Sequence, residues 1–275
     1  MCCTFEAHNM SKFWRILKKV LILLSALSAA AVFVVVLTSA VKKEQALVCK
    51  NLIVHIDYST GISFLKDAEI ADRLNYLSGE NLVGRKIATI DLTTLERELE
   101  ANPFIEQAAV YVDQKQNLIV DIIQKRPILR ILNNDGVSYY LGEKGEHIPL
   151  CNNFTAHVII ATGLVETHQN LERDSTVQAA LFQLTQFIQR DNFLSALIDQ
   201  IVVQPNGEVT LIPKISGHVI LFGVGNDHVE DKFSRLKIFY NEGLRKTGWN
   251  RYKTIDLRFD EQVVCEKKDT TTNTL

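Results

Sequence analysis

The chain has 275 residues, with 30 Lys+Arg against 32 Asp+Glu and a formal net charge of −2. That balance gives no basic stripe of the kind nucleic-acid binding requires. The cysteines, Cys2, Cys3, Cys49, Cys151 and Cys265, are too scattered for a disulfide framework or a zinc site, although a pair such as Cys49 and Cys265 remains conceivable against free or buried thiols.

The first element is an uncharged run, Val20 to Val41, bounded by Lys18-Lys19 and Lys42-Lys43. At about 1.5 Å per residue its roughly 22 positions extend about 33 Å, enough to cross a bilayer core as a single helix. Lys12, Arg15, Lys18 and Lys19 against Glu6 assign residues 1–19 to a cytoplasmic tail and everything from residue 42 onward to the outside of the inner (plasma) membrane. A cleavable signal peptide ending at Thr38-Ser39-Ala40 is the rival reading; the apolar run is longer than a signal core and favours the anchor. Without the tail's four bases and one acid, 26 Lys+Arg face 31 Asp+Glu, a net of −5 outside.

Residues 42–50 read as a charged stalk. Leu52 to Tyr58 is rich in β-branched residues and predicts a strand closed by Ser59-Thr60-Gly61. Asp67 opens a helix with Ile70, Leu74 and Leu77 on one side, and Gly79 ends it. A second helix starts near Thr93, where Thr93 and Glu96 fit a capping box, and stops at Asn102-Pro103. Two alternating strands follow, through Ala108, Val110 and Val112 and through Leu118, Val120 and Ile122. The order β-α-α-β-β makes a compact α+β unit, with both helices on one face of a three-stranded sheet.

From Lys125 the texture turns to β. Ile128 to Leu132, Ser138 to Leu141 and His157 to Ile160 are strand candidates. Thr176 to Arg190 is an amphipathic helix whose stripe is Val177, Ala180, Leu181, Leu184, Phe187 and Ile188. A hairpin joins Ile201–Gln204 to Glu208–Ile212, and His218–Phe222 is a further strand. A second helix, Val229 to Lys246, carries Val229, Phe233, Leu236, Tyr240 and Leu244, with Asp227 and Glu230 as its capping box. Thr254 to Cys265 reads as one long final strand, and 266–275 as a disordered polar tail.

Catalytic chemistry is not written in the chain. The seven histidines show no ligand spacing, and no nucleophile elbow, Walker loop or paired-carboxylate motif occurs. Gly223-Val-Gly225-Asn-Asp-His228 sits between a strand and a helix as a dinucleotide loop would, but His228 replaces the third glycine and an ordinary turn is favoured. No enzyme activity, cofactor, metal or small-molecule substrate is expected.

Three stretches carry a resemblance. Leu99-Glu-Ala-Asn102-Pro103-Phe104-Ile105, the strand Asn117-Leu118-Ile119-Val120-Asp121-Ile122 with Lys125-Arg126-Pro127, and Ile255-Asp256-Leu257-Arg258-Phe259-Asp260 occur in the order in which similar stretches occur in the bacterial cell-division family FtsQ, called DivIB in other lineages. The chain resembles a divergent branch of that family, for Tyr58-Ser-Thr-Gly61 replaces a shorter turn and Gln124 or Lys125 stands where the family has an acid. The resemblance implies a transmembrane helix at 20–41, a POTRA domain at 51–125 and an FtsQ-type mixed β domain with two helices at 126–265. It also implies a single-pass scaffold of the division septum that recruits FtsB-like and FtsL-like partners and links them to septal peptidoglycan synthesis. By the same resemblance the final strand receives FtsB by strand addition, with Phe259, Glu261, Gln262 and Val264 as contacts. Asp256 and Arg258 are as readily a solvated face, and Phe259 as readily a core aromatic. Two other functions stay open: a POTRA-bearing chaperone for envelope assembly or transport, and a membrane-tethered cell-wall enzyme.

Overall fold

The computed structural model describes residues 47–134, 136–163, 171–215, 217–225 and 227–268, together with 25, 28, 31–33 and 35. The expected span Val20 to Val41 therefore lies mostly outside the described residues, and the tail 1–19 and residues 269–275 lie wholly outside them. Ser25, Ser28, Ala31, Val32, Phe33 and Val35 are helical, and among the described residues no helix is long and apolar enough to cross a membrane.

The first elements are β1 (Asn51–Ile56), α1 (Asp67–Leu77), a 3₁₀ turn (Ile87–Thr89), α2 (Leu92–Glu100), β2 (Ile105–Val112) and β3 (Asn117–Gln124). The three strands form one sheet in the order β1-β3-β2, so the expected β-α-α-β-β order holds. Two details differ. Residues 47–50 are not a free stalk: Val48 bridges Lys86, Cys49 N donates to Arg85 O at 2.8 Å, and the Cys49 side chain is buried. The cap of α2 is Asp91 rather than Thr93; its carboxylate accepts from Thr94 N at 3.1 Å and Thr94 Oγ1 at 2.7 Å, because two oxygens satisfy more orphan groups than one hydroxyl.

The later elements are β4 (Pro127–Asn133), β5 (Ser138–Gly142), β6 (His147–Pro149), β7 (Ile159–Gly163), α3 (Leu171–Gln189), α4 (Asn192–Leu197), β8 (Ile198–Val203), β9 (Glu208–Pro213), β10 (Val219–Val224), α5 (Val229–Ile238), β11 (Tyr252–Asp256) and β12 (Val264–Lys267). They form a nine-stranded sheet in the order β12-β11-β10-β9-β8-β7-β4-β5-β6. It is mixed: β4–β7, β7–β8 and β10–β11 run parallel, the other pairs antiparallel. Side-chain alternation sends Leu129, Ile131, Ala161, Ile201, Val203, Leu211, Ile220 and Ile255 into one core with Leu181, Leu184 and Ile188 of α3 and Phe233 and Leu236 of α5.

The helices depart from expectation in three places. α4, unforeseen, is set by Asp191, whose side chain accepts from Phe193 N and Leu194 N and pairs with Lys237. α5 begins without a capping box, since His228 enters the left-handed region (φ 47°) and no side chain caps the first turn. Its helical stripe continues through Tyr240 and Leu244, but Phe239–Leu244 is wound as a π-helix before a last turn at Arg245–Thr247. The decoy glycine loop is a turn between β10 and α5: Gly223 has φ +82°, and a Cβ there would come within 3.0 Å of Arg258 Cγ.

By contacts the described chain falls into two compact units, one made of the residues up to Val54, Ile70–Glu96 and Val110–Val120, the other of His55–Glu69, Arg97–Ala109 and Asp121 onward. The first buries Ile70, Leu74, Leu82, Leu95, Leu118 and Val120. The second adds to the large core an aromatic cluster in which Phe64 meets Phe104, Tyr140 and Phe154 at centroid distances of 5.2, 6.0 and 5.3 Å. Beside it the buried Gln124 amide donates to Ile62 O (3.0 Å) and Asp57 O (3.3 Å) and accepts from Leu65 N (3.1 Å), fastening the long 57–65 loop.

Gln124→Leu keeps the bulk of that side chain but strands these backbone groups. At about 1–3 kcal/mol for each buried group left unpaired, urea denaturation should show clear destabilisation, whereas Gln124→Glu should recover only part of it because a carboxylate cannot donate. A second expectation concerns His218, buried with Nε2 2.6 Å from Tyr240 Oη. Burial, helped by the Lys268 charge and opposed by a backbone hydrogen bond with Trp249, lowers its pKa below the ordinary histidine value. The unfolded chain then takes up the proton more readily, so this contribution is complete above pH ~6.5 and is lost as pH falls below it. Unfolding free energy measured from pH 7.5 to 5 should decline on the acid side, and His218→Gln should flatten that decline.

Candidate functional site

The site begins where the final strand expected at Thr254 to Cys265 breaks. In place of one strand there is a hairpin: β11, a loop over 257–263, and β12 folded back antiparallel, with Asp256 opposite Val264, Ile255 opposite Cys265 and Thr254 opposite Glu266. The break has a local cause. Leu257 is wholly buried and its N–H continues the parallel pairing with Leu221 O at 2.9 Å, whereas the next residues satisfy one another instead of a neighbouring strand. Asp256 Oδ1 accepts from Arg258 N and Nε, both at 3.0 Å, and Oδ2 from Nη2 at 2.7 Å. Glu208 Oε2 takes Arg258 Nη1 at 3.1 Å.

Asp256 is therefore no solvated face: it is 7% exposed and ion-paired. Burial works to raise its pKa, but the Arg258 hydrogen bonds outweigh that and hold the carboxyl below its ordinary value. The Arg258 guanidinium is shifted up by the same pair.

Arg235 of α5 fixes the rest of the loop. Its guanidinium donates to three carbonyls, Leu257 O at 3.3 Å, Gln262 O at 2.7 Å and Phe259 O. These acceptors lie 22 to 27 residues away in sequence, so no local motif announces Arg235, and sequence reasoning missed it. With Glu261 in the left-handed region (φ 57°), the clamp turns the chain back into β12.

The four expected contact residues are thus divided. Phe259, Glu261 and Gln262 belong to the loop and only Val264 to a strand. Phe259 is 47% exposed and Val264 41%, which rules out the core role for Phe259. Glu261, Gln262 and Val263 instead line an open groove of about 550 Å³ whose other wall is the π-wound end of α5, with Ile238, Phe239, Glu242 and Gly243. Single π-helical turns favour functional sites because they re-aim the side chains around them. Gly243 permits this one, since a Cβ there would come within 2.8 Å of the Phe239 ring.

β12 is one edge of the large sheet and β6 the other. They are unequal. β6 is three residues long and ends in Pro149, which has no N–H to offer an added strand. Along β12, Lys268 N donates inward to Arg251 O at 3.0 Å. The alternation of an antiparallel ladder then turns Glu266 and Val264 inward and points the N–H and C=O of Cys265 and Lys267 outward. Cys265 is a free thiol, as are Cys49 and Cys151. Among the described residues no group of three or more His, Cys, Asp or Glu is arranged to hold a metal ion.

The family profile described as FtsQ/DivIB, C-terminal related, matches residues 126–266, and the profile described as a POTRA-like domain matches residues 47–144. Among curated proteins there is no match.

Arg235→Ala should release the loop and leave the core intact. In hydrogen exchange the Leu257 and Arg258 amides should exchange about tenfold faster or more, given the worth of hydrogen bonds from a charged donor, while that of Leu211 should not change.

Proposed function

Because the chain belongs to the FtsQ/DivIB family, we propose that it is a non-enzymatic scaffold of the division septum, anchored in the inner (plasma) membrane by Val20 to Val41 with its C-terminal domains outside. In this reading it comprises a POTRA domain at 51–125 and an FtsQ-type β domain at 126–265. It gathers FtsB-like and FtsL-like partners and couples them to septal peptidoglycan synthesis.

One observation carries the partner-binding part: β12 is a sheet edge whose outward N–H and C=O groups, among the described residues, meet no further strand of the sheet. An extended segment of a partner adds there by main-chain pairing, which supplies affinity. Phe259 and Val264 give it apolar contact at the start of the strand, and Glu261 and Gln262, on the groove wall, select among partners. The groove would receive the part of the partner that continues past the added strand.

The position of the outward groups decides the test. Proline at Val264 would break the β11–β12 ladder itself, so the informative substitutions are Lys267→Pro and Phe259→Glu. Lys267→Pro removes one outward N–H, at a cost of order 1 kcal/mol or more in pairing. Phe259→Glu puts a charge into an apolar contact. Both variants should unfold at the same urea concentration as the parent chain. In affinity capture from membranes, both should lose the FtsB-like partner. Retention of that partner at parental levels by both variants would exclude pairing at β12.

A further inference from the structure

A second concavity of about 500 Å³ lies away from the closing hairpin, at the beginning of β7 and β8. Its lining converges from six parts of the chain: Arg130 from β4, His157 just before β7, Gln189 from the end of α3, Ser195 from α4, Asp199 from β8 and Lys214 after β9. Two fixed cations and one carboxylate leave it a net positive charge, in a chain whose overall charge is negative.

The cations are not spent on ion pairs. Arg130 donates through Nε to Ser138 Oγ at 3.1 Å, and its guanidinium lies 5.8 Å from the Tyr140 ring centroid. Lys214 Nζ donates to Ser195 O at 3.1 Å. Among the described residues neither Arg130 nor Lys214 pairs with a carboxylate, although Asp199 lines the same cavity and other bases of the chain, such as Arg126, Lys144, Lys237 and Arg258, are paired. Arg130 is thus oriented through one edge, by Ser138 and the aromatic face, and its terminal N–H groups are left for something else. A planar fork of this kind suits an oxyanion, which it can bind through two parallel hydrogen bonds. A cavity of this size falls within the range of small-ligand sites.

The geometry points to an oxyanion-binding site here, for a ligand bearing a phosphoryl group, held by Arg130 and Lys214 with His157 and Gln189 as further donors. Asp199 sits on the same wall as a charge filter that weakens the binding of any anion. The assignment concerns a different part of the sheet from β12 and is independent of how that edge is used.

The test titrates inorganic pyrophosphate into the full chain in mild detergent, with sodium chloride at matched ionic strength as control, and follows the backbone amide resonances of His157 and Ile160. Saturable shifts absent from the chloride control are expected. Lys214→Gln and Arg130→Gln should each weaken binding about fivefold or more, the worth of a charge-assisted hydrogen bond. Asp199→Asn should tighten it. Lys214 and Asp199 are exposed, so their variants should fold whether or not Arg130→Gln does. Shifts that never saturate, shifts matched by chloride, or weaker binding by Asp199→Asn would overturn the assignment.

Discussion

An open sheet has two edges, and every backbone N–H and C=O along them must find a partner in water, in the protein or in another chain. That constraint organises the larger sheet of this protein. At one end the strand is cut to three residues and closed by proline. At the other, an arginine from a helix draws the chain around into a last antiparallel strand, beyond which no described strand pairs. The Arg235 clamp supports that reversal, for its guanidinium collects the carbonyls of Leu257, Phe259 and Gln262 between β11 and β12.

Much of the fold was legible because periodicity reports burial, and burial decides most of these elements. The stripes Leu181-Leu184-Ile188 and Phe233-Leu236-Tyr240 were readable as helix faces because they pack on one sheet, and Leu118-Val120-Ile122 as a strand because it alternates. The misreadings share a different cause. Tyr252 to Lys267 is rich in β-formers on both sides of its bend, so its pattern cannot reveal that the interruption at 257–263 is paid for by a residue on another element. α4 is too short to show a period, and on α2 the Thr93–Glu96 spacing matched a capping box while Asp91, the stronger capping residue, stood two positions earlier.

The candidate site was legible only in part for the same reason. Resemblance led to Phe259, Glu261, Gln262 and Val264, and all four do lie at or beside the edge strand, three of them in the loop that precedes it. The partners of that loop, Arg235 and the π-wound wall with Gly243, carry no signal of their own. Arg235 acquires meaning only from carbonyls more than twenty residues distant in sequence, and the π-wound wall only from the loop that faces it across the groove. The cavity around Arg130 is a still stronger case, since its lining is drawn from strands and helices that no spacing rule connects.

Strand order adds a consequence of timing. β11 pairs in parallel with β10, from which it is separated by the whole of α5, and β12 then folds back on β11. Among the described strands the one at this edge is therefore the last to be made. A chain stalled before residue 252 ends its sheet at β10, which carries different side chains and lacks the arginine-clamped loop. A segment that adds to β12 would therefore meet only chains in which β10, β11 and the Arg235-held loop are already in place.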